Sequence, residues 1–195
     1  MIRPAAPADL DAVAEIYAHY VRHTVATFEE TPPTVAAWRR RLDDLAAQGL
    51  PFLVADLSGG VAGYAYAAPW RPRPAYRHTV EDSIYLAPDR TGHGLGGALL
   101  GPLVAACARA RVRQMIAVVA DTGAGASVAL HHRFGFTEAG RLTAVGFKHG
   151  RWIDTLLLQR ALGDTPDAGQ PPRPDDDRRQ PAADAPALPR IAALP

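Results

Sequence analysis

Three groups of residues in this chain have types and spacings that could do chemistry. The stretch DRTGHGLGGALL, residues 89–100, sets Gly92, Gly94, Gly96 and Gly97 directly before leucines at helical spacing. Glycines at a helix start let several backbone N–H groups converge on one anion, and the helix dipole adds to the attraction. Read by letter, Gly92, Gly94 and Gly97 also spell G-x-G-x-x-G, and Asp121 ends a later apolar run, near where a dinucleotide-binding unit keeps its ribose-binding acid. The context opposes that reading: APDRT separates the preceding strand from the first glycine, and only about 40 foldable residues remain for further parallel strands. The loop also lacks G-K-[ST], so it is no P-loop. One or two glycines would be read as a turn without a ligand; four before a helix favour a cradle for phosphate or pyrophosphate.

The second group is Glu81 and His131. Glu81 stands mid-strand in TVEDSIYL and His131 in LHHRFGF. A strand glutamate taken alone is more often solvated than functional, and a helix histidine more often packs than transfers protons. The third group is Arg71, Arg73 and Arg77 in the loop WRPRPAYRH. Their guanidinium forks suit carboxylate or phosphinate groups, and a solvated basic loop is the alternative. Cys107, the single cysteine, falls on the apolar face of the helix after the glycines. It reads as a small buried hydrophobe, so no disulfide within the chain, Cys-based zinc site or covalent acyl-enzyme is expected.

The elements that must hold these groups follow from periodicity. IRPA predicts a short strand, and Asp9 an N-cap for a helix carrying Leu10, Val13, Ile16, Tyr17 and Tyr20. Val35, Trp38, Leu42 and Leu45 predict a second helix. PFLVADL and GVAGYAYAAP read as a hairpin turning at Ser58-Gly59-Gly60, and TVEDSIYLAP as the strand feeding the glycine loop. Leu95, Leu99 and Leu103 continue as a helix in which Pro102 is expected to produce a kink. QMIAVVA then predicts a buried strand, ASVALHHRFGF a short helix, and EAGRLTAVGFKHGRWIDTLLLQR two strands. The order β-α-α-β-β-β-α-β-α-β-β predicts an α/β fold, a mixed sheet flanked by helices.

Composition sets the outer limits. Of 195 residues 48% are hydrophobic, enough for one core, and the net charge of +1 with scattered basic residues argues against a nucleic-acid surface. Apolar runs are too short for a membrane span and MIRPAAPADL lacks a signal-peptide core, so a cytoplasmic protein is expected. After Leu162 the chain turns rich in Pro, Ala and Asp and poor in bulky apolar residues. The folded unit is therefore expected over 1–162, with a disordered tail over 163–195.

The succession SIYLAP, TGHGLGGALL, MIAVVA, ASVALHHRFGF resembles the GNAT superfamily of N-acetyltransferases. IYAHYVRHTVATFEETPPT, GYAYAAPWRPRPAYRHTVEDSIYL, SVALHHRFGF and AVGFKHGRWIDT narrow the resemblance to phosphinothricin N-acetyltransferases, a family that includes methionine sulfoximine and methionine sulfone acetyltransferases. The resemblance implies acetyl-CoA bound between splayed central strands and acetyl transfer to an amino-acid α-amine in a ternary complex, with no metal. It implies Glu81 as general base, and His131, where many relatives carry tyrosine, as thiolate acid or helper of the base. Ile84, Tyr85, Leu86, Thr91, Gly92, His93, Gly94, Leu95, Gly96, Gly97 and Ala124 would bind the cofactor, the Leu86 N–H serving as oxyanion donor. Phe28, Arg71, Arg73, Tyr76, Arg77, Glu81 and Ser83 would line the substrate site. Trp152 and Asp154 would pack the last strands and a homodimer interface, and herbicide resistance would follow from the activity. Two positions depart from the pattern: Thr91 stands where Gln or Arg is usual, and Ala124 where Asn is frequent. The alternatives are a GNAT enzyme acting on peptide or protein N-termini or another small amine, and an acyl-CoA-binding module without catalysis.

Overall fold

A computed structural model of the chain describes residues 1–58, 60–123 and 125–162. The expected tail lies outside the described residues, as do Gly59 and Ala124. The strands are β1 (Ile2–Pro4), β2 (Phe52–Leu57), β3 (Gly60–Pro69), β4 (Thr79–Leu86), β5 (Gln114–Ala120), β6 (Thr137–Lys148) and β7 (Arg151–Ala161). The helices are α1 (Leu10–His23), α2 (Val35–Ala47), α3 (Leu95–Arg109) and α4 (Ala126–Arg133). The strands form one seven-stranded sheet in the order β1-β2-β3-β4-β5-β7-β6. Only β4 and β5 run parallel; every other pair is antiparallel.

The period-2 alternation of β4 decides what meets where. Glu81, Ser83 and Tyr85 share one face with Tyr64 and Tyr66 of β3. The Tyr85 ring packs edge-on against Tyr17 of α1 at 4.9 Å, and Trp38 of α2 stands edge-on to Tyr64 at 5.5 Å. Val80, Asp82, Ile84 and Leu86 take the other face, where Asp82 meets His131 of α4. There α3 lies beside α4, with Gly97 and Gly101 facing the Phe134 ring. The core between these layers includes Val13, Trp38, Tyr64, Leu99, Leu103, Cys107 and Met115, each at most 1% exposed.

One local expectation changes. Asp9 precedes α1 but its side chain does not cap that helix. It is buried, accepts the Ala6 N–H at 2.7 Å, and forms an ion pair with Arg3 at 2.7 Å, fastening β1 to the turn before α1. A buried carboxylate is better neutralised by a fixed guanidinium than by backbone donors alone, which explains the diversion. Pro102 lies inside α3, and the helix continues through it for seven further residues, to Arg109.

Candidate active site

Beyond Glu81 the two parallel strands part. Their register covers only Thr79–Glu81 against Gln114–Ile116, although β4 continues to Leu86 and β5 to Ala120. The gap opens into a cavity of about 560 Å³ lined by Ile84, Tyr85, Leu86, Thr91, Gly92, Gly94, Gly96 and Gly97, with Val119 and Ser127 opposite. The expected cofactor residues His93 and Leu95 do not line it: His93 is exposed at the loop tip and Leu95 begins α3. Gly94 precedes α3 at φ +77°, a conformation that costs an L side chain strain. Thr91 donates its hydroxyl to the Pro88 carbonyl at 3.3 Å, and the neighbouring Arg90 pairs with Asp89 at 3.1 Å.

Strand alternation also orients the backbone of β4. Ala87 N–H donates to the Ala62 carbonyl at 2.9 Å and Trp70 N–H to the Thr79 carbonyl at 3.1 Å. The odd-numbered residues of β4 therefore bond to β3, and the N–H groups of Ile84 and Leu86 face the gap. The Leu86 carbonyl on that side accepts the Tyr20 hydroxyl at 2.7 Å. A cleft with glycines at a helix start, strand N–H groups along one wall and apolar side chains between them fits the pyrophosphate and amide-bearing arm of a coenzyme A thioester.

A second cavity of about 530 Å³ opens on the other side of Glu81. Tyr17, Thr27, Phe28, Arg41, Tyr66 and Thr155 line it, and it shares Glu81, Ser83, Tyr85 and Val118 with the first. Glu81 therefore stands where two cavities meet. Burial pushes its carboxyl above the usual carboxylate range, the neighbouring Asp82 adds to the rise, and Arg71 pulls the other way. A carboxylate so raised is a better proton acceptor for an amine than a solvated one.

Residues 26–29, one wall of the second cavity, are fastened from three sides. The Tyr17 and Thr27 hydroxyls bond at 2.6 Å, the buried Lys148 ammonium donates to the Thr27 carbonyl at 2.7 Å, and the Phe28 ring lies against Gly146. Burial lowers the Lys148 pKa, opposed by Glu30 and Glu29. Any side chain at Gly146 would displace Phe28.

The arginine loop is different. Arg71, Arg73, Tyr76 and Arg77 line neither cavity. The Arg71 guanidinium lies 4.6 Å from the Trp70 ring centre, though its charge still reaches Glu81. Arg77 donates to the Pro74 carbonyl at 3.3 Å, bracing a single turn at Pro74–Tyr76.

His131 is 3% exposed and both its ring nitrogens are engaged. Nδ1 lies 2.7 Å from the Ser127 carbonyl, which only accepts, so Nδ1 carries a proton. Nε2 lies 3.0 Å from Asp82 Oδ2, and that contact needs one more proton, on either partner. The pair is net neutral whichever partner holds it. Burial alone would depress the imidazole, but the hydrogen bond and charge of Asp82 and the Ser127 carbonyl carry it above its ordinary value. A proton passing from His131 toward a thiolate must leave one of these two bonds. Asp82 Oδ1 is buried without a partner and Asp82 lines the first cavity.

Sequence reading passed over Asp82 and Arg41. Both had a signal: Asp82 occupies the apolar phase between Val80 and Ile84, and Arg41 falls on the Trp38, Leu42, Leu45 face of α2. A charge on a buried face needs a partner or a function. His132 is exposed, its ring on the Phe136 carbonyl at 3.0 Å. Asp154 accepts the Ala144 N–H at 2.8 Å and Arg141 at 3.3 Å, bracing the irregular part of β6, whereas Trp152 is 67% exposed. Among the described residues no helix is long and apolar enough to cross a membrane, and no cluster of three metal-ligating side chains occurs.

Comparison with known proteins places this geometry. An acetyltransferase (GNAT) domain model matches residues 2–157. The chain is 53% identical to phosphinothricin N-acetyltransferase of Alcaligenes faecalis over 159 residues, 80% of this chain and 81% of that one. It is 41% identical to the L-methionine sulfoximine/L-methionine sulfone acetyltransferase of Pseudomonas aeruginosa, over 84% of this chain and 95% of that one. The crystal structure of a phosphinothricin acetyltransferase from Sinorhizobium meliloti in complex with AcCoA superposes with a TM-score of 0.81 at 46% identity, covering 87% and 94% of the two chains. The chain is thus an N-acetyltransferase, and it belongs to the GNAT acetyltransferase family.

Proposed function

We propose that this enzyme transfers the acetyl group of acetyl-CoA to the α-amine of phosphinothricin-like amino acids: phosphinothricin, methionine sulfoximine or methionine sulfone. The observation that carries the reading is the position of Glu81, reached from the cofactor cleft on one side and from a polar cavity on the other. An α-ammonium group with a free pKa near 8 must lose a proton before it attacks. Glu81 accepts that proton. The amine nitrogen bonds to the thioester carbonyl carbon, and the Leu86 N–H stabilises the oxyanion. Collapse breaks the C–S bond and expels the thiolate. The nitrogen sheds its second proton as the amide forms, and the thiolate is protonated in exchange, with the Asp82–His131 pair, which lines the same cavity, relaying the proton between them. No protein nucleophile intervenes, since Cys107 is fully buried in the core.

The same reading includes a homodimer working in the cytoplasm, with residues 1–162 as its catalytic unit and resistance to phosphinothricin as a consequence. Leu142, Val145, Phe147 and Trp152 support the dimer: they leave apolar side chains exposed on the β6–β7 hairpin, with the Phe147 and Trp152 rings 5.1 Å apart. The test is thiol release from acetyl-CoA over phosphinothricin, methionine sulfoximine, methionine sulfone, common amino acids and short peptides. Turnover is expected with the first three. Release with peptides alone would replace this reading with N-terminal acetylation, and tight acetyl-CoA binding without release on any amine would leave a binding module.

A further inference from the structure

Arg41 is the one charged side chain that α2 turns toward the core. It follows Trp38 by three residues, and its guanidinium lies 4.7 Å from the Trp38 ring centre and 5.5 Å from that of Tyr66. Nη1 donates to the Tyr66 hydroxyl at 3.3 Å. Among the described residues no carboxylate lies within 4.0 Å of it; Glu29 lines the same cavity but is exposed and forms no ion pair with it. A guanidinium presents several N–H donors in a rigid plane, and here it packs over two rings while most of its donors remain unused.

The register gives the distance scale. Tyr66 pairs with Ser83 and Ala68 with Glu81, so the Tyr66 and Glu81 side chains are diagonal neighbours on one face. Such neighbours lie about 7–8 Å apart. The cavity therefore has a proton acceptor at one end and an unpaired cation at the other. Arg71, whose charge acts on Glu81, lines neither cavity, so Arg41 is the cation that faces this one.

We propose that Arg41 reads the far end of the substrate, binding the paired acceptor atoms that a phosphinate, sulfone or sulfoximine carries at the side-chain terminus. The inference rests on the amino-acid reading above and adds the source of its selectivity. A tetrahedral centre bearing two acceptors matches the two-pronged edge of a guanidinium, whereas a thioether offers no comparable partner.

Methionine sulfone and methionine test this, since they differ only by the two sulfonyl oxygens. The kcat/KM of both is measured for the wild type, Arg41→Met and Arg41→Lys, with Tm as a check on packing against Trp38. Arg41→Met should lower kcat/KM for the sulfone about 10- to 100-fold and change that for methionine by less than about threefold, with Arg41→Lys between. An equal fall for both amino acids would reduce Arg41 to shaping the cavity, and no fall for either would remove it from recognition; in both cases the amino-acid reading stands. A wild type that acetylates none of phosphinothricin, methionine sulfoximine and methionine sulfone overturns that reading and this inference with it; one that acetylates phosphinothricin but not the sulfone overturns this inference alone.

Discussion

The two cavities that meet at Glu81 are built in opposite ways. The first cavity, the proposed cofactor cleft, takes one end from Thr91, Gly92, Gly94, Gly96 and Gly97, close together in the chain, and its walls from β4, β5 and α4. The second cavity gathers side chains from seven places, among them Tyr17 of α1, Thr27 and Phe28 of the following loop, Arg41 of α2, Tyr66 of β3, Ser83 of β4, Val118 of β5 and Thr155 of β7. One site is made of backbone held in a required shape, the other of side chains gathered by the fold. The first should be sensitive to what a glycine becomes and indifferent to most side chains; the second should be the reverse.

The largest effect is expected where the two join. Glu81→Gln should lower kcat about 10²- to 10⁴-fold at neutral pH, the usual worth of a positioned general base, with KM for acetyl-CoA nearly unchanged. A kcat within threefold of wild type would mean that solvent removes the amine proton and that the junction is only a passage. Next comes the backbone site. Gly94→Val forces a β-branched residue into a left-handed conformation, a strain of about 1–3 kcal/mol. If this loop receives the phosphates, as proposed, acetyl-CoA should bind roughly 5- to 100-fold more weakly by calorimetry. Its kcat at saturating cofactor should stay within about threefold of wild type. If binding is unaffected, the cradle is not where the pyrophosphate lies.

This contrast also explains what was legible in the sequence. The element order was readable throughout, because amphipathic periods and Gly or Pro punctuation are local properties. The glycine loop was readable for the same reason: its geometry is written in consecutive residues. Glu81 alone looked like an ordinary strand carboxylate, and only the surrounding family pattern marked it out. Asp82 and Arg41 were passed over because each makes sense only beside a distant partner. Asp82 meets His131 across 49 residues of chain, and Arg41 meets Tyr66 across 25. The arginine loop shows the converse case: three guanidinium groups stand close in sequence, and none of them lines either of the two cavities that meet at Glu81. Asp9 was placed correctly in sequence and misread in role, since capping and ion pairing to Arg3 compete for the same carboxylate.

A smaller effect separates charge from contact in that loop. Glu81 is raised by burial and by Asp82 and lowered by Arg71. As a base it works ionised, so kcat/KM should climb as pH rises through its pKa. Arg71→Gln removes the opposing cation and carries that pKa further up, so the acid limb of the pH profile should move to higher pH. A profile that does not move while KM for the amino acid rises would assign Arg71 to contact with the substrate rather than to action at a distance.

The smallest effect is expected at Arg73, and it is the one that bears most directly on the contrast. Arg73 is exposed, lines neither cavity and, unlike Arg71, has no part in the Glu81 shift. If the substrate site is complete as the side chains now stand, Arg73→Gln should leave KM for phosphinothricin and for methionine sulfone within about twofold, as surface substitutions usually do. A tenfold rise in KM with kcat unchanged would point to a loop that swings its guanidinium groups onto the bound amino acid, because binding would then be lost without loss at the transition state. The second cavity would in that case be only part of the site, its remaining wall supplied by consecutive residues, and the distinction between a site of backbone and a site of scattered side chains would narrow to Arg41, Tyr66 and the fastened segment around Phe28.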